Sequence, residues 1–326
     1  MYNGIVKKVL ISGIYITMLK VFENFCDKVF QKDTIGEPPY EYDFLVSLDE
    51  KEYPKYLKKI FKTMTGESLN LKHPKTLNEK IQWLKLYDSS PLKTQLTDKV
   101  LVRDYVKEKI GEEYLKPICQ ICDSFDEIDF DKLPQAFVIK CNHGCKWHYK
   151  IKDKKRFLEN KHVFSYVRDK FNFWMTQQFH LWGGFELQYK GIKPKIIVED
   201  FIGNLSEPLI EYEVYCFNGI PKISRRVKFG TPGSCNTLYD ENFEIMNEQL
   251  YMAGINEKIL PEPELKKVVE LSKILAKGFK FVRVDWIANN SKLYFNEMTF
   301  SPMSGFFNFS DFDFNLKLGS MLKIKD

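Results

Sequence analysis

Apolar positions recur at helical spacing over residues 1–35, and a break at 36–45, carrying Pro38 and Pro39, ends that pattern. Residues 46–93 hold two or three further helices. One is predicted over Leu77–Leu86, entered through His73–Pro74, with Thr76 and Glu79 spaced as a capping box. Near residue 95 the texture changes, and short apolar runs punctuated by Gly and Pro alternate with helical stretches. Strands are predicted over Phe137–Cys141, Lys195–Phe201, Tyr212–Phe217, Ile220–Lys228, Phe281–Ile287 and Lys292–Thr299. Helices are predicted over Asp98–Ile110, Asp153–Lys170 and Glu262–Lys277. No internal repeat or low-complexity linker interrupts the chain. The pattern divides it into a helical N-terminal region, 1–95, and an α+β unit, 96–326.

The last two strands are the most informative. Phe281, Val282, Val284, Trp286, Leu293, Phe295, Met298 and Phe300 make this hairpin strongly apolar, yet it carries Asp285, Glu297 and Thr299. Acids within such strands cost free energy unless something pairs them. A Mg²⁺ ion takes oxygen ligands of this kind, and two neighbouring strands can aim both carboxylates at one ion.

Composition adds bounds. The 326 residues are 44% hydrophobic and 29% charged, enough for a sizeable core in a globular protein. A net charge of +5 is too mild to argue for nucleic acid. The excess is local: between Lys140 and Lys161 eight Lys and Arg face two acids, a cluster suited to phosphate. Seven cysteines without scaffold density point to a reduced, cytoplasmic setting. Cys119 and Cys122, with Cys141, Cys145, His143 and His148, imitate a zinc spacing. The first pair lies in a strand-like YLKPICQIC run, however, where residues three apart point to opposite faces. Val9–Leu19 is apolar but too short to span a bilayer, and no cleavage-site pattern follows it. It is read as a packed helix, with peripheral membrane contact through residues 1–35 as the alternative.

Four further pieces precede the acidic hairpin. Asp98–Lys99 opens a helix that also carries Arg103. Lys140 ends a buried strand and is followed by Asn142, His143 and Gly144, a lysine and loop well placed to hold phosphate oxygens. An apolar strand runs into Glu199, Asp200, Phe201 and Ile202. A hairpin through Asn218–Gly219 carries Glu211, Glu213, Arg225 and Arg226. In order, the phrases T-L-N-E-K-I-Q-W-L-K, D-K-x-x-V-R-x-Y-V, L-P-x-x-F-V-I-K-C-N-H-G, E-Y-x-x-Y-C-F-N-G-x-P-K and F-V-R-V-D-W…Y-F-N-E-M-T-F-S-P resemble the TupA-like branch of the ATP-grasp superfamily, over roughly residues 70–310.

That resemblance implies an ATP-grasp fold, in which two α+β lobes grip ATP. It implies that Lys99 and Lys140 contact phosphates and adenine, and that Glu199–Ile202 reads the adenine edge. Asp285 and Glu297 hold Mg²⁺, with Thr299 as a weaker ligand. Arg283 attends the transferred phosphate or the substrate carboxylate, and at most one of Arg225 and Arg226 points into the cleft. His143 is a candidate donor beside the phosphate loop. Two departures matter. Where the family continues Gly-Ser-Gly, this chain has Gly144–Cys145–Lys146, with Lys146 expected to compensate by charge. Where the family often has D-Y-K, it has Glu211–Tyr212–Glu213.

The implied activity is an ATP- and Mg-dependent carboxylate–amine ligase of bacterial surface polysaccharide assembly. Its partners would be a carboxylate, such as a uronic acid, and an amine or amino acid. One rival is a glycosyltransferase, for which Asp311–Phe312–Asp313 offers a D-x-D on paper. The other is a non-catalytic nucleotide-binding relative, suggested by the atypical loop.

Overall fold

The computed structural model describes residues 42–203, 209–228, 235–250, 255–289, 292–309 and 311–325. The helix expected over 1–35 and its apolar 9–19 segment lie outside them. The chain forms two units, Met1–Leu48 and Asp49–Asp326. The described part of the first holds helix α1 (Tyr42–Ser47). The second unit carries everything that follows. Within it Leu77, Ile81 and Leu84, which precede residue 95, share a core cluster with Tyr215, Phe217 and Phe281.

Its first α-helices are α2 (Tyr53–Thr65), α3 (Leu77–Tyr87) and α4 (Pro91–Thr97). Thr76 and Glu79 close the capping box at the start of α3. Helix α5 (Val102–Ile110) starts four residues later than its sequence pattern suggests. The Asp98 carboxylate instead accepts from the backbone N–H groups of Val100 and Leu101. That bond holds Lys99 in a turn ahead of the helix.

The first sheet is antiparallel, in the order β1-β4-β2-β3. Its strands are β1 (Ile118–Cys122), β2 (Phe137–Cys141), β3 (His148–Ile151) and β4 (Ile196–Asp200). Helices α6 (Lys154–Glu159) and α7 (Lys161–Met175) occupy the stretch expected as one helix. Asn160 splits them, because its side chain accepts from Val163 N–H and caps the second. Phe125, Phe130, Phe137, Phe157, Phe164 and Phe171 pack tilted and edge-on against one another between these helices and one face of the sheet. The pleat then turns Val138 and Lys140 to the other face. Pairing of Lys140 with Ile197 and His148, and of Val138 with Glu199 and Lys150, puts Glu199, His148 and Lys150 on that face too.

Short helix α8 (Phe179–Trp182) leads back toward β4. The second sheet runs β10-β9-β5-β6-β7-β8. Its strands are β5 (Ile210–Phe217), β6 (Ile220–Lys228), β7 (Cys235–Asp240), β8 (Ile255–Asn256), β9 (Phe281–Asn289) and β10 (Lys292–Thr299). Tyr212, Val214, Cys216, Val282, Val284 and Trp286 face helix α9 (Pro263–Leu275) in one core cluster. The opposite face changes character along the strands. At one end Tyr215, Phe217, Ile223 and Phe281 pack against α3 and the last helix, α10 (Phe312–Met321). At the other end the same face carries Glu213, Arg225, Arg283 and Asp285. An alternating strand can therefore be apolar on both faces at one end and charged on one face at the other.

Candidate active site

The acidic hairpin is built by register. Asp285 pairs with Glu297 on one side and with Glu213 on the other, and Glu213 pairs with Arg225. Four charged side chains thus form one row across four strands. A bulge at Asn296 shifts β10 by one residue, so Phe295 packs inward opposite Trp286 while Glu297 and Thr299 face the cleft.

Contacts within the row are dense. Arg283 donates to both oxygens of Asp285, at 2.7 and 2.6 Å, and lies 3.7 Å from Glu213 and 3.9 Å from Glu297. Arg225 donates to Glu213 at 3.1 Å, and so does Tyr215 Oη at 2.7 Å. Thr299 Oγ1 lies 3.1 Å from Glu297 Oε1 and 3.4 Å from Asp285 Oδ2, so one hydroxyl touches both carboxylates. Burial pushes the Asp285 carboxyl well up against the pull of Arg283. Burial also acts upward on Glu297, but Lys99 and Arg283 outweigh it and hold that carboxyl below its ordinary range.

These residues fit a Mg²⁺ ion. Glu297, Asp285 and Thr299 offer three hard oxygens from adjacent strands, and one or two carboxylates completed by phosphate oxygens are what this ion takes. Among the described residues no three Asp, Glu, His or Cys side chains gather as a closed metal cluster. Two carboxylates and one hydroxyl would leave an octahedral ion further positions for phosphate oxygens and water. The guanidinium of Arg283 must give up part of Asp285 when a cation enters.

The first sheet supplies the cations. Lys140 Nζ lies 2.7 Å from Glu199 Oε2. Burial lowers the Lys140 pKa to about 8, with Glu199 pulling the other way. Glu199 is pushed up by burial but dominated by Lys140 and Lys116, and falls to about 2. Lys99 Nζ donates to the carbonyl of Gly144 at 2.6 Å and stands 3.9 Å from Glu297. That contact joins the phosphate-loop candidate to the metal candidate. Beyond Glu199, the Asp200 carboxylate accepts from the Cys119 thiol at 3.2 Å, while Phe201 and Ile202 continue half-buried past the strand end.

The β2–β3 turn is held from beneath. Trp147 is buried against Trp174, Phe179, Trp182 and His143. A Cβ on Gly144 would come within 2.2 Å of the Trp147 ring, so glycine is required here for contact, at an unstrained φ. Lys146 is exposed and sits at φ 60°, in the left-handed region that favours glycine.

Two expected residues belong elsewhere. The ring nitrogens of His143 lie 3.1 Å from Asn142 Oδ1 and from the Trp174 carbonyl, both inside the protein. Its side chain therefore anchors the turn and does not face a phosphate. Arg226 alternates away from Arg225 onto the α9 face, where its guanidinium holds Glu262 at 2.9 and 3.2 Å. The Asp311–Phe312–Asp313 triplet is a helix cap, in which Asp311 accepts from Asp313 N–H at the start of α10.

Residues not assigned a role from the sequence also surround the site. Lys116, next to β1, reaches Glu199 at 3.4 Å and donates to Asn296 Oδ1 at 2.7 Å. Its signal was a lone lysine before a proline. Glu211 shares the cleft face of β5, and burial beside Glu213 pushes it up to about 7. Asn78, Gln82 and Lys85, one stripe of α3, bond the backbone of the turn after β10. Asn78 exchanges bonds with Phe307, Gln82 donates to the Ser304 and Gly305 carbonyls, and Lys85 donates to the Ser304 carbonyl. Their i, i+4, i+7 spacing was legible, but not what they bind.

An antiparallel sheet carrying Lys140, and a second sheet, antiparallel but for its β7–β8 edge, carrying a paired acidic hairpin that Lys99 approaches at 3.9 Å, define a protein of the ATP-grasp class. Residues 79–323 match the model of the TupA-like ATP-grasp family, and the chain belongs to that family. Among solved structures it is similar to D-alanine–D-alanine ligase from Bacillus anthracis, with 17% identity, 67% of this chain and 63% of that one covered, and a TM-score of 0.37. It is similar to the L-amino acid ligase from Bacillus licheniformis, with 14% identity, 68% and 48% covered, and a TM-score of 0.39. The D-cycloserine synthetase DcsG gives 12% identity, 71% and 70% covered, and a TM-score of 0.40. The chain thus spans less than two thirds of the length of the first two. No curated protein matches it.

Proposed function

We propose that this protein is an ATP- and Mg-dependent carboxylate–amine ligase. The observation that carries this reading is the Lys99 side chain, which bonds the Gly144 carbonyl and stands 3.9 Å from Glu297, the partner of Asp285. Cations suited to polyphosphate and oxygens suited to Mg²⁺ therefore meet at one place. Asp285, Glu297 and Thr299 would hold the ion, which when bound neutralises phosphate charge.

The chain's own residues then have distinct tasks. Lys99 and Lys140 bind and orient the nucleotide phosphates, and Glu199 to Ile202 line the base. Arg283, drawn off Asp285, stabilises the phosphoryl group as it passes from ATP to the substrate carboxylate. A carboxylate oxygen bonds to the γ-phosphorus and ADP leaves. An amine then attacks the acyl carbon, phosphate departs with the bonding pair, and the amine loses a proton. Arg225 is placed through Glu213 to keep that region's charge balanced. Positioning and charge stabilisation supply most of the rate in such a reaction.

The substrate carboxylate is proposed to be that of a uronic acid, and the setting bacterial surface polysaccharide assembly. Support for both is the TupA-like family membership. The test supplies ATP, Mg²⁺, glucuronate or galacturonate, and a panel of amino acids and amines, and follows ADP and phosphate. Acid- and amine-dependent ADP release is expected, with Glu297→Gln lowering kcat by about 10²–10³, the usual loss when a transition-state charge stabiliser is removed. Release of UDP from a nucleotide sugar, without ATP consumption, would overturn the reading.

A further inference from the structure

Lys116 is 7% exposed, and its side chain bridges the two sheets. Its ammonium sits between two elements of different sheets: Glu199 on β4, at 3.4 Å, and the bulged Asn296 on β10, at 2.7 Å. Glu199 Oε2 is the same oxygen that Lys140 holds at 2.7 Å. Two buried lysines thus share one carboxylate.

We infer that Lys116 is a positioning residue that couples the nucleotide site to the metal site, an inference that rests on the ATP-site reading above. When Lys140 turns to a nucleotide, Glu199 would lose its nearer cation. Lys116 then no longer shares the carboxylate with Lys140, so its ammonium is held more firmly between Glu199 and Asn296. The same ammonium holds the Asn296 amide, and this bulge sets the register that turns Glu297 toward Asp285. Nucleotide bound on the first sheet therefore favours the metal-ready bulge on the second, and the favour is reciprocal, as linkage requires. A purely structural lysine would fill space and pair charge but would leave the two affinities independent.

The experiment measures ADP affinity by calorimetry with and without Mg²⁺, on the full chain. In the wild type Mg²⁺ tightens ADP binding. In Lys116→Met the tightening shrinks by about fivefold or more, the ordinary size of such coupling. Asn296→Ala, which leaves the Lys116–Glu199–Lys140 charges intact, shrinks it similarly, and the double variant adds little further loss because both changes cut one link. Equal Mg²⁺ enhancement in the wild type and in Asn296→Ala overturns the inference, whatever Lys116→Met does to folding. A wild type that binds no ADP overturns the ATP-site reading and this inference together. ADP binding with an unaltered Mg²⁺ response in both variants overturns the inference alone.

Discussion

Burial lowers Lys140 to about 8 although Glu199 stands 2.7 Å away. A phosphate near this ammonium favours its charged form and raises its pKa, so nucleotide binding takes up a proton once the free protein has begun to lose one. Affinity for ADP should therefore fall as pH rises through about 8, and calorimetry on either side of that point checks it. Lys140→Met should remove the dependence. At neutral pH it should cost about 1.5–3 kcal/mol of binding, the scale of a charge-assisted hydrogen bond. A wild-type affinity that stays flat across this window would mean that Lys140 does not touch the nucleotide. Glu199 answers to the same geometry with the opposite sign: its folded value of about 2 lies below the ordinary carboxylate range. The stability it lends is complete above that range and is lost as pH falls toward about 2.

At the scale of the element, the β2–β3 turn carries two neighbouring demands of different origin. Gly144 is a matter of contact, since a Cβ would meet the Trp147 ring at 2.2 Å. Lys146 is a matter of backbone, since its φ of 60° strains any L side chain. Gly144→Ala should therefore destabilise by about 1–3 kcal/mol, as overpacking does. Lys146→Gly should stabilise by up to about 1 kcal/mol by relieving the left-handed conformation. Urea unfolding of the two variants gives opposite displacements on this account. If Lys146 holds phosphate charge, the more stable Lys146→Gly protein will nevertheless bind ADP more weakly, and the loss will diminish at high salt.

Across the whole molecule, polar groups far apart in sequence are gathered behind the cleft. Lys85 is 2% exposed and donates to Gln82, to the Gly183 carbonyl and to Ser304. Glu186 accepts from Ser301 and Gln188. Burial lowers Lys85 to about 7, with Glu186 opposing, and burial raises Glu186. This network secures the turn after β10, in which Met303 and Ser304 both take φ of 52°. Removing Lys85 leaves the buried Gln82, Gly183 and Ser304 acceptors without their donor, so Lys85→Met should cost about 2–4 kcal/mol in denaturant unfolding. Adding Glu186→Gln should recover part of that loss, because the two charges belong to one cluster.

The local pattern of the chain determined most of its elements and the order of its chemistry. Thr76 and Glu79 mark the start of α3, and the strands that became β2, β4, β5, β6, β9 and β10 appear as apolar runs with few ends misplaced. Alternation also separated Arg225 from Arg226, since successive strand residues point to opposite faces. What periodicity could not carry was distance. The pairing of Asp285 with Glu297 depends on the Asn296 bulge, and nothing local distinguishes a bulged asparagine from an ordinary strand residue. His143 carried a ligand-like motif, but packing around Trp147 turned its ring inward. Lys116 had no motif at all, because its meaning lies in two strands, β4 and β10, that are remote from it along the chain. Short β7 and β8 escaped the pattern for a related reason: they are added at the sheet's far edge, β7 by pairing with β6 and β8 by pairing with β7, and pairing is a tertiary event.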